Sequence, residues 1–230
     1  WALTSYAVAA VVANLVLVQL AGRISYRRFT LVSLALFVLG SVACAMADTL
    51  LQLSLARAVQ GLGGGGLFAA SRILAQYSSQ PQERLSLFWG FGLANFALVA
   101  LSPWLAGWLI SHHGWHMLFL LQAGFALPML PLVLWLYPRV EHRPARSIGR
   151  LDWPGVLAFA AGALLLLHAL EHLRFMTLSD LPALLLYAVA GSALIAVMMR
   201  RFRRHPDPWL DPGRLLSRRY LVGLGFYALF

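Results

Sequence analysis

RAVQGLGGGGLFAASR, residues 57–72, sets an arginine, a glutamine and a run of glycines inside a stretch that is otherwise lipid-soluble. Its surroundings decide how it is read. Of the 230 residues 60% are apolar and 11% charged, and the mean hydropathy is +0.74, far too apolar for a soluble domain of this length. The apolar residues come in runs of about 18–25, the length a helix needs to cross a hydrocarbon core of about 30 Å. The chain is written for a bilayer, and the expected fold is an all-α integral membrane bundle. Lone Cys44 forms no disulfide framework and says little about compartment.

Working outward, spans are expected at Ala2–Ala21, Thr30–Ala47, Leu50–Tyr77, Leu85–Ile110, Trp115–Tyr137, Trp153–Leu170 and Leu181–Met199, with an eighth starting near Tyr220. Two Arg- and Pro-rich segments cannot continue a helix: PRVEHRPARSIGRLD (138–152) and RRFRRHPDPWLDPGRLLSRR (200–219). They read as linkers that separate a bundle at 1–137, two central spans at 153–199 and the start of another bundle at 220–230. Because the chain opens on Trp1 and stops within a barely started apolar run, it reads as a piece of a longer protein.

All eighteen basic residues are arginines. Fifteen fall in alternate connections: Arg23, Arg27 and Arg28; Arg84; Arg139, Arg143, Arg146 and Arg150; and seven between Arg200 and Arg219. The opposite connections hold Arg174 alone. This asymmetry predicts that the Arg-rich loops are cytoplasmic and that Trp1 starts outside. The net charge of +10 then sets topology and meets anionic lipid headgroups. Nucleic-acid binding is not expected, since no soluble face interleaves basic groups with exposed aromatics.

Arg57 is the exception. It stands nine residues after Asp48, so at about 1.5 Å per residue it lies about 13 Å into the bilayer. A guanidinium there costs at least about 2.5–3.5 kcal/mol. On a helix Arg57, Gln60, Gly61, Gly64 and Ser71 share a face, and such a polar stripe belongs against other helices or a watery cavity. Gly61, Gly63 and Gly66 spell G-x-G-x-x-G, but no preceding strand or later ribose-binding acid accompanies them, and no P-loop Gly-Lys-Ser/Thr is present. Close packing is the better reading: Gly61 and Gly65 form a GxxxG, which admits a neighbouring backbone.

LARAVQGLGGGG (55–66) resembles the R-x-x-Q-G motif in the fourth helix of the major facilitator superfamily, in its fourteen-span drug/proton antiporter branch. LAGRISYRRFTLVSLALFVLGS (20–41) is similar to the segment around the loop between that family's second and third helices. LSPWLAGWLISHHGWHMLFLLQ (101–122) is similar to the antiporter motif G-P-x-x-G-G and the G-W-R-W-I-F after it. LDWPGVLAFAAGALLLLHALE (151–171) resembles the first of two extra central helices, and RRHPDPWLDPGRLLSRRYL (203–221) the linker into the C-terminal half. The resemblance runs along the whole chain and implies helices two to eight and the start of nine.

It further implies a transporter of the bacterial inner membrane that exports small, drug-like molecules by alternating access and exchanges them for protons, with no cofactor and no enzymatic activity. A periplasmic adaptor partner is left open. By resemblance Arg57 takes part in proton coupling, with Gln60 beside it, and Ser102, Pro103 and Gly107 carry the antiporter motif, so Pro103 is expected to mark a bend and Gly107 a close contact. Three departures stand against the family pattern. The loop at 22–28 lacks its usual acid, Leu98, Ser102 and Ala106 occupy glycine positions, and all eight carboxylates lie in loops or at helix ends. A facilitator or differently coupled carrier is the alternative that these favour.

Other polar residues have two readings each. Asn14 and Asn95, with Trp89 and Trp104, either line the substrate path or, for the asparagines, act as interhelical glue contributing about 0.6–2 kcal/mol. HALEH, residues 168–172, matches H-x-x-E-H, in which His168 and His172 hold zinc and Glu171 acts as base. That reading, a membrane metalloprotease, needs a third ligand, for which only His112, His113 and His116 are placed. The plainer reading is polar residues at a helix exit.

Overall fold

The computed structural model describes residues 2–21, 25–77, 81–136, 152–173, 180–204, 217 and 222. The chain divides into two units, Trp1–Ala145 and Arg146–Phe230. The first holds α1 (Ala2–Ala21), α2 (Tyr26–Ala45), α3 (Leu50–Tyr77), α4 (Pro81–His113), α5 (His116–Ala126) and α6 (Met129–Leu136); the second holds α7 (Trp153–Leu173) and α8 (Leu181–Arg204). No strand occurs among the described residues. Most of the two expected linkers and of 220–230 lies outside them.

Five described helical stretches are long and apolar enough to cross a membrane: Tyr26–Ala45, Trp89–His113, His116–Trp135, Trp153–Leu173 and Leu181–Arg204. A shorter apolar stretch, Ala2–Asn14, lies in α1. The 28-residue α3 carries the polar stripe instead.

Local chemistry sets the helix ends. At the start of α3 the Gln52 N–H donates to Thr49 Oγ1 (3.2 Å) while Gln52 Oε1 accepts from the N–H groups of Asp48 (2.9 Å) and Thr49 (3.2 Å). This reciprocal capping box satisfies donors that the first turn would leave orphaned. The α4 helix ends on Gly114 at φ +82°, a left-handed value that glycine reaches without a Cβ clash. The expected fifth span, Trp115–Tyr137, is found as the stretch His116–Trp135, with one interruption between α5 and α6. After the Leu127 N–H closes on the Ala123 carbonyl (2.8 Å), Pro128 has no N–H to continue the ladder, so the chain turns before α6.

In the first unit α3 lies between α1 and α2, and α2 also packs on α5 and α6. Without a hydrophobic driving force in lipid, helices associate by close packing and hydrogen bonds, and α3 allows both. A Cβ on Gly61 would overlap the Tyr6 carbonyl, and one on Gly65 the Ala10 carbonyl, so these two glycines seat α1 at backbone contact. Towards its far end α3 meets α2 through Phe29, Ala69 and Ala70, where the Tyr26 hydroxyl donates to the Ala70 carbonyl (2.9 Å). The other side of α2 meets α5 and α6 in a cluster of Leu34, Ala126 and Val133.

The second unit is a two-helix hairpin. The Gly162 and Gly191 backbones approach each other, and the Asp152 carboxylate takes a two-pronged contact from Arg201, Nε to Oδ2 at 3.1 Å and Nη2 to Oδ1 at 3.0 Å. Asp152 is 5% exposed and Arg201 47%. This pair joins the start of α7 to the end of α8, which makes the hairpin antiparallel.

Gly65→Val should force α1 off α3 and cost about 1–3 kcal/mol through overpacking. Thermal unfolding of the full-length protein in detergent reads this, and an unchanged unfolding temperature would mean that α1 is not seated there.

Candidate functional site

Arg57 and Gln60 stand one turn apart on α3, and Arg57 Nη1 donates to Gln60 Oε1 at 2.9 Å. Gln60 is fully buried. The α2 helix can reach it because Gly40 lies against the Gln60 backbone, where a Cβ would not fit. That approach brings Ser41 Oγ to 2.8 Å from Gln60 Nε2. The Ser41 hydroxyl donates to the Phe37 carbonyl (2.7 Å), so its oxygen has a lone pair for Gln60. The second hydrogen of Gln60 Nε2 goes to Gln122 Oε1 on α5, at 2.7 Å. Thus one buried amide joins α2, α3 and α5.

The guanidinium itself lies against aromatic rings from two further directions. Arg57 Cζ is 4.9 Å from the Tyr6 ring centroid, on α1, and 5.3 Å from that of Phe119, on α5. Cation–π contacts of this kind contribute about 0.5–2 kcal/mol each. Gly64, also on the stripe, leaves room for the Tyr6 hydroxyl. Residues of α1, α3 and α5 thus surround a half-buried cation, and α2 joins them through Gln60. The one ion pair among the described residues is Arg201–Asp152, in the other unit, so the partners recorded for Arg57 are an amide oxygen and two π faces. Its remaining N–H groups can take a further acceptor.

The other candidates stand elsewhere. Asn14 Nδ2 donates to the Ala10 carbonyl (3.2 Å) and Asn95 Nδ2 to the Phe91 carbonyl (2.9 Å), each within its own helix. Trp89, Asn95, Ser102, Pro103, Trp104 and Gly107 are all exposed on α4, which runs unbroken through Pro103. Among the described residues nothing lies within 4 Å of a Cβ built at Gly107, since there α4 packs on α3 and α5 alone.

His168 and His172 stand one turn apart with ring centroids 4.1 Å apart, as a helical H-x-x-E-H requires. His172 Nδ1 lies 3.0 Å from the His168 carbonyl, and the Tyr187 ring lies edge-on to His168 at 5.4 Å. Among the described residues no three His, Cys, Asp or Glu gather as a metal site. His112, His113 and His116 belong to the first unit.

Sequence reasoning missed Ser41, Gln122, Tyr6 and Phe119. Each comes from a different helix than Arg57, and none sits in an unusual local pattern. Only Gln122 left a trace, as a polar residue in an apolar run.

Comparison with known proteins gives a match to the Major Facilitator Superfamily over residues 1–230. The probable transport protein HsrA of Haemophilus influenzae is 38% identical over 128 residues, 55% of this chain and 26% of the relative. The multidrug resistance protein B homolog of Mycobacterium tuberculosis is 31% identical over 95% of this chain and 40% of its own length. The putative multidrug resistance protein MdtD of Cronobacter sakazakii is 29% identical over 89% of the chain and 42% of the relative. The chain thus spans less than half the length of these relatives.

Gln60→Leu, close in volume, removes the acceptor that holds Arg57 and the donor shared by Ser41 and Gln122. It should destabilise the full-length protein by about 1–3 kcal/mol, seen as a lower unfolding temperature. A variant as stable as the parent would show that the amide ties nothing together.

Proposed function

The chain belongs to the Major Facilitator Superfamily, and on that premise we propose that it forms part of a proton-coupled exporter of small, drug-like molecules that works by alternating access. The observation that carries this reading is Arg57, a cation two turns into α3 held by Gln60, Tyr6 and Phe119. A fixed buried guanidinium favours the charged form of any carboxylate that approaches it. Moving that carboxylate towards or away from Arg57 changes how tightly it holds its proton, which is how a conformational cycle exchanges protons between two sides of a membrane. The names of two relatives, multidrug resistance proteins, support drug-like substrates. Protein, lipid and proton are then the components required, and no cofactor enters the scheme.

The coupling role is tested in proteoliposomes of the full-length protein with an imposed pH gradient and ethidium as probe. Arg57→Ala should abolish energised efflux at normal expression and insertion. Arg57→Lys keeps the charge but loses the planar fork, and should lower the rate roughly tenfold or more, on the scale of a lost charge-assisted hydrogen bond. Normal energised efflux by Arg57→Ala would remove Arg57 from coupling, whereas a parent protein that moves ethidium only down its own gradient would favour a facilitator, the reading to which the antiporter-motif departures at Leu98, Ser102 and Ala106 point.

In the same reading the protein lies in a bacterial inner membrane with its Arg-rich connections, 138–152 and 200–219, on the cytoplasmic side and 171–180 outside. Cysteines placed at 146 and 176 in a cysteine-free full-length protein distinguish the two faces. An impermeant maleimide added to intact cells should label position 176 and spare 146; the opposite pattern inverts the topology.

A further inference from the structure

Arg57 and Gln60 are carried by α3, but the contacts that orient them arrive largely from α5. Phe119 and Gln122 stand three residues apart on α5 and so share a face, one with its ring 5.3 Å from Arg57 Cζ and the other with its oxygen 2.7 Å from Gln60 Nε2. Donor and acceptor roles then leave Gln60 one orientation. A guanidinium only donates, so Gln60 Oε1 has to face Arg57 and Nε2 has to face α2 and α5. Turned over, the amide would set N–H against N–H at Arg57 and oxygen against oxygen at Gln122. Ser41 opposes that turn weakly, because a hydroxyl rotates to suit either atom. Gln122 opposes it more, because it is an amide that would have to turn over as well to keep its bond to Gln60.

We propose that Gln122 is a positioning residue for Arg57: by accepting from Gln60 it fixes the amide whose oxygen holds the guanidinium, so that α5 sets where the charge stands. The consequence for transport rests on the coupling role proposed above for Arg57, whereas the consequence for the position of the guanidinium rests on geometry alone. Gln122 is itself exposed, so replacing it opens no buried cavity. What is lost is an acceptor. Without it Gln60 turns more freely, its oxygen leaves Arg57 for part of the time, and the guanidinium rotates against Tyr6 and Phe119 unheld.

The full-length protein in lipid nanodiscs, with arginine labelled at the guanidinium by 13C and 15N, gives the direct readout. The Arg57 resonances are identified by their loss in Arg57→Lys. A held guanidinium gives separate, resolved Nη signals, and a freely rotating one gives averaged signals. Resolved signals are expected in the parent, averaged ones in Gln122→Leu, and resolved ones again in Gln122→Glu, which keeps the acceptor. In proteoliposomes with an imposed pH gradient, Gln122→Leu should lower the maximal rate of ethidium efflux about tenfold, the scale of one hydrogen bond to the partner of a charge, with KM unchanged. If Gln122→Leu fails to fold, Gln122→Met, which keeps the length and lacks the carbonyl oxygen, takes its place with the same expectations. Parent-like Arg57 signals in the acceptor-deficient variant, or averaged signals that Gln122→Glu does not restore, overturn the proposal. If the parent itself moves no ethidium under a pH gradient, the coupling reading fails, and the Arg57 resonances still decide the positioning.

Discussion

Backbone contact along α3 is the constraint from which the rest of the first unit follows. Lipid offers helices no hydrophobic reason to meet, and an arginine on the meeting face adds a cost. The glycines of α3 resolve this by removing side chains where the neighbours arrive: Gly61 and Gly65 admit the α1 backbone, while Gly63 admits the α2 backbone at Phe37. Only at that separation does the short side chain of Ser41 reach Gln60, and Tyr6 reach Arg57. A bulkier α3 would hold the same polar residues too far apart to satisfy one another. The run that looks like a nucleotide motif is a packing device, and the polar cluster is what the packing makes possible.

The cluster shows how a charge within α3 is kept without a counter-charge among the described residues. Desolvating a guanidinium is expensive, and a carboxylate beside it would recover much of that cost while fixing both groups in one state. An amide oxygen and two aromatic faces hold the cation more loosely. Arg57 remains half-buried with donors to spare. This is the condition a coupling residue needs, because a cation already locked to an acid has little left to offer an approaching one.

How far all this was legible in the sequence varies with the range of the interaction. Hydropathy located the helices, and the bounds expected for α1 and α3 coincide with the observed ones, because length in a bilayer is a local property; α8 runs on to Arg204, five residues into the segment 200–219 expected to end it. The break at Pro128 is hidden because the chain is apolar on both sides of it, and hydropathy is blind to a missing N–H. The capping box at Thr49 and Gln52 was overlooked although its spacing is readable. Arg57 and Gln60 were readable because helical periodicity places them on one face. Gln122, Ser41, Tyr6 and Phe119 were not, because no local spacing says which helices will converge.

The two arginine sites of the chain separate on the same physics. Arg201 sits at the end of α8 among other basic residues of the last turn, half in water, and its fork closes on Asp152 at the start of α7. There the helix C-terminus favours a cation, the solvent lowers its cost, and a matched acid neutralises it, so the pair reads as a clasp on the hairpin. Arg57 differs on each count: it lies two turns inside the start of α3, where the helix end does not favour a cation, it lies against rings and an amide, and it faces no acid among the described residues. The position and not the residue type therefore separates an arginine that fastens two helix ends from one that keeps donors open to a further acceptor, which is the property the proposed coupling role would use.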